Sequence, residues 1–232
     1  MKKTKKQTIP SKTKQKNRVK SIIPILKQEY PEAGPRIRFS NPLECIIAGI
    51  LAAQCTDEKV NEVTVFLFDK YKTTRNYADA DLDELMMEIY STGTFRKKAL
   101  RIKECCEVLD TQYKGKIPED MDSLTSLPGV GRKTANMVLA DAFGIPGIIV
   151  DTHVIRLSQR IGLSDKKLPD KIELDLREIV PEEDWTIFSH ILAFHGRKTC
   201  VARKPKCEQC SIYDFCDYYE ANYGGKKDDG KN

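Results

Sequence analysis

Only one run in this chain, Gly147-Ile148-Ile149-Val150, has the β-branched composition of a strand, and it has no second run to pair with. A lone strand leaves its backbone donors and acceptors without a ladder, so no sheet is expected. The rest carries helical punctuation. Asn41-Pro42-Leu43-Glu44 reads as an N-cap, a first-turn proline and an acid three residues on, opening a helix that is apolar almost all round from Cys45 to Ala53. Further helices are expected from Thr56-Asp57-Glu58 to about Tyr71, from Asp81-Leu82-Asp83, over Arg96–Tyr113 and near Asp122–Leu127. After a glycine-rich turn come Lys133–Phe143, closed by Gly144 and Pro146, then Asp151–Ile161, Asp170–Val180 and Glu183–Phe194. The expected class is all-α.

The 232 residues suffice for one large domain or two small ones with a core of their own. No apolar run reaches the roughly 20 residues that span a bilayer, and no apolar stretch of a secretory signal opens the chain, so a soluble, intracellular protein is expected. The net charge of +5 hides an uneven distribution. Residues 1–20 hold nine basic side chains and no acidic one, leaving 30 basic against 34 acidic in the remainder. Such a Lys-rich tail is expected to be disordered, either as a solubilising end or free to meet a polyanion.

Eight cysteines without an export signal point to thiols or a metal site rather than disulfides. Four of them form Cys200-x6-Cys207-x2-Cys210-x5-Cys216. Zinc sites usually show two close pairs, whereas only Cys207 and Cys210 are close here, and the wider flanking gaps favour an iron–sulfur cluster. Cys45, Cys55, Cys105 and Cys106 fall in apolar helical pattern and read as core thiols. His153, His190 and His195 follow no metal-ligand pattern and read as structural hydrogen-bonding residues.

Two further stretches can carry chemistry. In Leu127-Pro128-Gly129-Val130-Gly131-Arg132-Lys133-Thr134, two glycines make a tight turn before a helix, where uncovered backbone N–H groups suit a phosphate. Lys133 falls in the first turn of that helix, where the dipole disfavours a cation and so favours a lysine nucleophile. Taken alone it is more often simply a solvated lysine. Val150-Asp151-Thr152-His153-Val154 sets an acid just before a helix. Taken alone that is a plain N-cap, but a capping carboxylate is also rigidly held, as an electrostatic or acid–base role demands.

Together, residues 127–136, Val-Asp-Thr-His-Val at 150–154 and the cysteine spacing resemble endonuclease III, a family of base-excision DNA glycosylases of the helix–hairpin–helix class. The resemblance runs from about residue 40 to 220 and takes in Leu51–Asp57, Ser91–Ala99 and His195-Gly196-Arg197. It implies two helical lobes with DNA between them. One is a six-helix barrel over about 36–145 carrying the hairpin; the other, residues 21–35 with 146–225, holds a 4Fe–4S cluster on Cys200, Cys207, Cys210 and Cys216. It further implies that Lys133 attacks C1′ of a flipped-out nucleotide to give a Schiff base, while Asp151 stabilises positive charge at C1′ and helps deprotonate the lysine.

By the same resemblance the hairpin residues Gly129, Val130, Gly131 and Arg132 and the basic loop residues Arg203, Lys204 and Lys206 contact the DNA backbone, and Gln54 fills the gap left by the flipped base. The family often has a wedging leucine after Gly93; this chain has Thr94 and then Phe95. Either Phe95 takes its place or the wedge is weaker. The expected partner is double-stranded DNA with oxidised pyrimidines or abasic sites, with no membrane, for a cytoplasmic monomer that is nucleoid-associated in a prokaryote. The rivals are a monofunctional glycosylase, which would generally lack Lys133, a non-catalytic hairpin module, which has no use for Lys133 and Asp151, and an iron–sulfur electron carrier, which needs neither the hairpin nor Asp151.

Overall fold

The structure is a computed structural model that describes residues 10–224. The described residues form twelve α-helices joined by short turns, and no strand. Residues 147–150 lie outside any helix; Ile149 N–H donates to the Ser189 hydroxyl at 2.9 Å in place of a ladder bond, and Ile148 and Val150 are buried. Among the described residues no helix is long and apolar enough to cross a membrane. The chain divides into two compact units, Pro35–Gly147 on the one hand and the residues up to Gly34 with those from Ile148 onward on the other.

The first helix, α1 (Lys12–Glu29), belongs to the second of these units. Helices α2 (Pro42–Leu51), α3 (Asp57–Lys70), α4 (Thr74–Ala78), α5 (Leu82–Glu88), α6 (Phe95–Tyr113), α7 (Met121–Ser126) and α8 (Arg132–Met137) build the Pro35–Gly147 unit. Most begin where a side chain satisfies the first-turn amides. Asn41 accepts from Glu44 N–H at 3.0 Å, and Thr56, Thr73, Asp81 and Asp120 do the same for α3, α4, α5 and α7. In α2 the side chains of Cys45, Ile46, Ile47, Ala48, Ile50 and Leu51 are buried, so it is the central helix its composition suggests. The expected helix 133–143 is not uniform. After Met137 it widens into a π-type turn over Val138–Ala142, with Phe143 N–H bonded to Val138 O at 3.2 Å. Pro146 has no N–H to continue the ladder, and the chain closes with wider bonds before it.

The other unit is completed by α9 (Thr152–Ile161), α10 (Pro169–Ile179), α11 (Trp185–Lys198) and α12 (Asp217–Tyr223). Burial pushes the thiol of Cys105 up to about 12 and raises Cys45 and Cys106 as well, which makes these three inert core residues.

The basic tail departs from the sequence expectation. Residues 1–9 lie outside the described residues, but Lys12–Lys20 are the first turns of α1 rather than disordered. Lys14, Lys16 and Lys20 point to solvent, and the opposite face buries Val19, Ile22 and Leu26 at 0% exposure. Each such side chain contributes roughly 1.5–3 kcal/mol, more than repulsion among screened surface lysines removes. Two polar residues complete the docking. The Gln15 amide donates to Gly162 O and Leu163 O at 3.3 and 3.0 Å. The Arg18 guanidinium donates to Ile161 O and pairs with Asp217 at 2.7 Å. They close the C-terminal end of α9, where Gly162 sits at φ +83° and a Cβ would strike both Arg18 and Asp217. Arg18→Ala leaves Asp217 without its part-buried partner and is expected to destabilise by about 3 kcal/mol, against less than about 0.5 kcal/mol for Lys14→Ala or Lys16→Ala. Urea unfolding measures both, and equal, small effects would contradict the docked helix.

Candidate functional site

Cys200, Cys207, Cys210 and Cys216 line one pocket with Leu157, Ile161 and Ile212, partly open to solvent. Among the described residues no three His, Cys, Asp or Glu side chains close on a point tightly enough for a single metal ion. A zinc ion would draw all four sulfurs to about 2.3 Å from one centre. Thiols spread around a larger space fit a cluster of several irons better. Burial pushes the Cys210 thiol up to about 12 and raises Cys207 and Cys216 too, so as free thiols they keep their protons at neutral pH and release them on binding iron.

Hydrogen-bond donors surround the sulfurs. Arg160 donates to Cys200 Sγ at 3.2 Å and to Val201 O and Ala202 O at 2.8 and 2.9 Å. Its neighbour one turn earlier, Arg156, donates to Cys200 O at 3.1 Å and Gly196 O at 2.7 Å. His195, 1% exposed, has Nε2 at 3.4 Å from Cys210 Sγ and Nδ1 at 3.0 Å from the Tyr30 hydroxyl. Burial lowers its pKa to about 4, so the ring is neutral at pH 7. Beyond Cys200, Arg203, Lys204 and Lys206 are exposed on a segment whose backbone Arg160 tethers from behind.

In the Pro35–Gly147 unit the glycine turn joins α7 to α8. Gly129 has φ +80°, and a Cβ there would lie 2.9 Å from Arg101 Cβ. Val130 turns its side chain inward, at 5% exposure, and gives its N–H to Leu127 O at 3.1 Å. That N–H is therefore not among those left for a phosphate, and Val130 shapes the turn from within. Gly131 caps α8 without a side chain, in open space. Arg132 and Lys133 follow in the first turn, with Lys133 exposed.

Asp151 caps α9. Its Oδ1 accepts from His153 and Val154 N–H, both at 2.8 Å, while Oδ2 faces the Arg197 guanidinium at 3.9 Å. The carboxylate is thus both the cap and a fixed, partly exposed charge with one oxygen uncommitted to the helix. Gln54 follows α2, exposed and left-handed at φ 53°. Thr94 is also left-handed, at φ 44°, and Phe95 opens α6 with its ring 4.8 Å from that of Tyr90. The structure brings the four cysteines together, and sets Lys133 in one unit and Asp151 in the other.

Comparison with known proteins follows the same lines. The family model of the HhH-GPD superfamily base excision DNA repair protein matches residues 47–182, and that of the iron-sulfur binding domain of endonuclease III matches residues 200–216. Endonuclease III of Synechocystis is 45% identical over 208 residues, covering 89% of this chain and 95% of that protein. That of Bacillus subtilis is 44% identical over 190 residues, covering 81% and 86%. The chain belongs to the endonuclease III family. A solved non-covalent endonuclease III–DNA complex superposes with a TM-score of 0.85 at 40% identity, covering 89% of this chain and 97% of that one, and so does a trapped endonuclease III–DNA covalent intermediate.

As a member of the endonuclease III family the chain is a base-excision DNA glycosylase with AP lyase activity, and its cofactor is a 4Fe–4S cluster. Sequence reasoning did not single out Arg156, Arg160 or Tyr30. The spacing of the two arginines by four places them on one face of α9, but their acceptors are mostly backbone carbonyls, which no motif reports. For the turn, Gly129→Ala is expected to cost about 1–2 kcal/mol from the left-handed backbone alone, with the approach to Arg101 adding to it. Gly131→Ala is expected to cost about 1 kcal/mol at most. Thermal or urea unfolding ranks the two, and the reverse order would contradict this account of the turn.

Proposed function

We propose that this chain removes oxidised pyrimidines such as thymine glycol from double-stranded DNA and then cuts the strand by β-elimination, with Lys133 as the nucleophile. The observation that carries the reading is the exposed Lys133 in the first turn of α8, directly after the glycine turn. The damaged nucleotide leaves the stack at a cost of a few kcal/mol, least for a poorly stacked lesion. Lys133 Nζ attacks C1′, and the base departs with the bonding electrons and takes up a proton. The sugar ring opens to a protonated Schiff base, a C2′ proton is lost, and the 3′ phosphate leaves. Asp151 supplies the negative charge that stabilises C1′ as it becomes cationic and helps deprotonate the attacking lysine by accepting its proton. Because its Oδ1 is fixed by two amides, that charge needs no reorganisation when the reaction begins.

The remaining assignments follow the same reading. Gly129, Gly131 and Arg132 hold a DNA phosphate at the α8 N-terminus, with Val130 packing the turn. Arg203, Lys204 and Lys206 add backbone contacts that position without reading sequence. Gln54 and Phe95 enter the duplex at the lesion. Cys200, Cys207, Cys210 and Cys216 hold the 4Fe–4S cluster, which when bound anchors the segment carrying the basic loop at four points. The enzyme acts as a monomer in the cytoplasm, associated with the nucleoid in a prokaryote; the bacterial origin of the relatives supports that setting.

Borohydride reduction on a duplex with one thymine glycol tests the chemistry. A covalent adduct is expected with the protein as it stands and none with Lys133→Gln. Base release without any adduct would make the enzyme monofunctional and overturn the assignment of Lys133.

A further inference from the structure

Lys98 is a charged residue for which the assigned chemistry has no use. It lies one turn into α6 and is 4% exposed. Its Nζ donates to Leu51 O and to Thr92 O, each at 2.7 Å, and no carboxylate pairs with it among the described residues. Burial lowers its pKa below the ordinary lysine value, with the Cys55 thiol as the nearby group that opposes the shift. A buried ammonium held only by carbonyls is a costly way to fill space that an apolar side chain could occupy.

The two carbonyls explain the arrangement. Leu51 O lies at the C-terminal end of α2, three residues before the left-handed, exposed Gln54. Thr92 O ends the 3₁₀ turn Tyr90–Thr92, three residues before Phe95. There the backbone runs through two successive residues of positive φ, Gly93 at φ 69° and Thr94 at φ 44°. The second tip carries an aromatic pair, with Tyr90 60% exposed beside the Phe95 ring and the Arg96 guanidinium 4.7 Å over it. An exposed ring packed on a part-buried one, next to a cation, suits stacking on bases beside a phosphate backbone.

We propose that Lys98 is a positioning residue for base excision, its ammonium fixing the Gln54 turn and the Thr94–Phe95 turn to each other so that both meet the duplex as one preformed element. The inference rests on the reading that Gln54 and Phe95 contact the lesion. Misplacing such an element by about 1 Å costs on the order of 10²-fold in rate. The cost falls on extrusion of a stacked base, not on cleavage of an abasic site with no base to extrude.

The test compares single-turnover excision of thymine glycol with cleavage of a preformed abasic site for Lys98→Met. Lys98→Gln, which keeps a neutral donor on a shorter stem, serves as a second variant should the first fail to fold. Both are measured also in a background carrying Gln54→Ala and Phe95→Ala. Lys98 substitution is expected to slow excision by about 10- to 100-fold, to change abasic cleavage by less than about threefold, and to add little once the two tips are already truncated. Equal losses on both substrates, or the same further loss in the truncated background, would overturn the proposal and leave Lys98 a general core residue. If Gln54→Ala with Phe95→Ala alone leaves excision intact, the duplex-contact reading fails instead, whatever Lys98 does.

Discussion

The carboxylate of Asp151 accepts two backbone amides at the start of α9, and much of the surrounding unit is arranged around the helix that this contact begins. One face of α9 buries Val154, Leu157 and Ile161, at most 2% exposed, against the core. Another presents Arg156 and Arg160 to the backbone and sulfur of the Cys200 segment. Its far end is closed by Gln15, Arg18 and Asp217. Ten residues therefore fix the carboxylate, the first of the four thiols and the docking of α1 on one rigid rod. The group that satisfies the amides keeps a second oxygen off the helix, 3.9 Å from the Arg197 guanidinium.

The same economy of position recurs in the Pro35–Gly147 unit. The glycine turn brings the start of α8 to the surface with Lys133 exposed, while Val130 is buried beneath it and Gly129 lies against Arg101. Lys98 stabilises two exposed tips from within. In both cases a buried residue sets where an exposed one stands, so that binding need not order the exposed group. The four thiols likewise line one pocket with Leu157 and Ile161, while Arg203, Lys204 and Lys206 stand exposed on the same segment.

What was legible in the sequence was local. Asn41-Pro42-Leu43-Glu44 contains its own cap, and its helix starts where that cap requires. The spacing of the four cysteines, and the order of the glycine turn and Asp151 along the chain, carried the family and most of the candidate site. What was not legible lay in contacts between residues far apart in the chain. Residues 12–20 read as a Lys-rich tail because the acceptors of Gln15 and Arg18 stand 147 and 199 residues away, at Gly162 and Asp217. Nothing in Arg96-Lys97-Lys98 sets Lys98 apart from its neighbours; only its two carbonyl partners do. Val130 sits inside a phosphate-binding pattern, yet its N–H is taken by Leu127.

Under the proposed function Asp151 does two separable things, capping α9 and supplying charge at the reacting sugar. Asparagine caps a helix as well as aspartate does but carries no charge. The decisive measurement is single-turnover excision of thymine glycol by Asp151→Asn alongside its thermal unfolding. An unchanged melting temperature within error is expected, with a rate lower by on the order of 10²-fold or more. Excision at the wild-type rate, or a loss that merely follows a fall in stability, would contradict it.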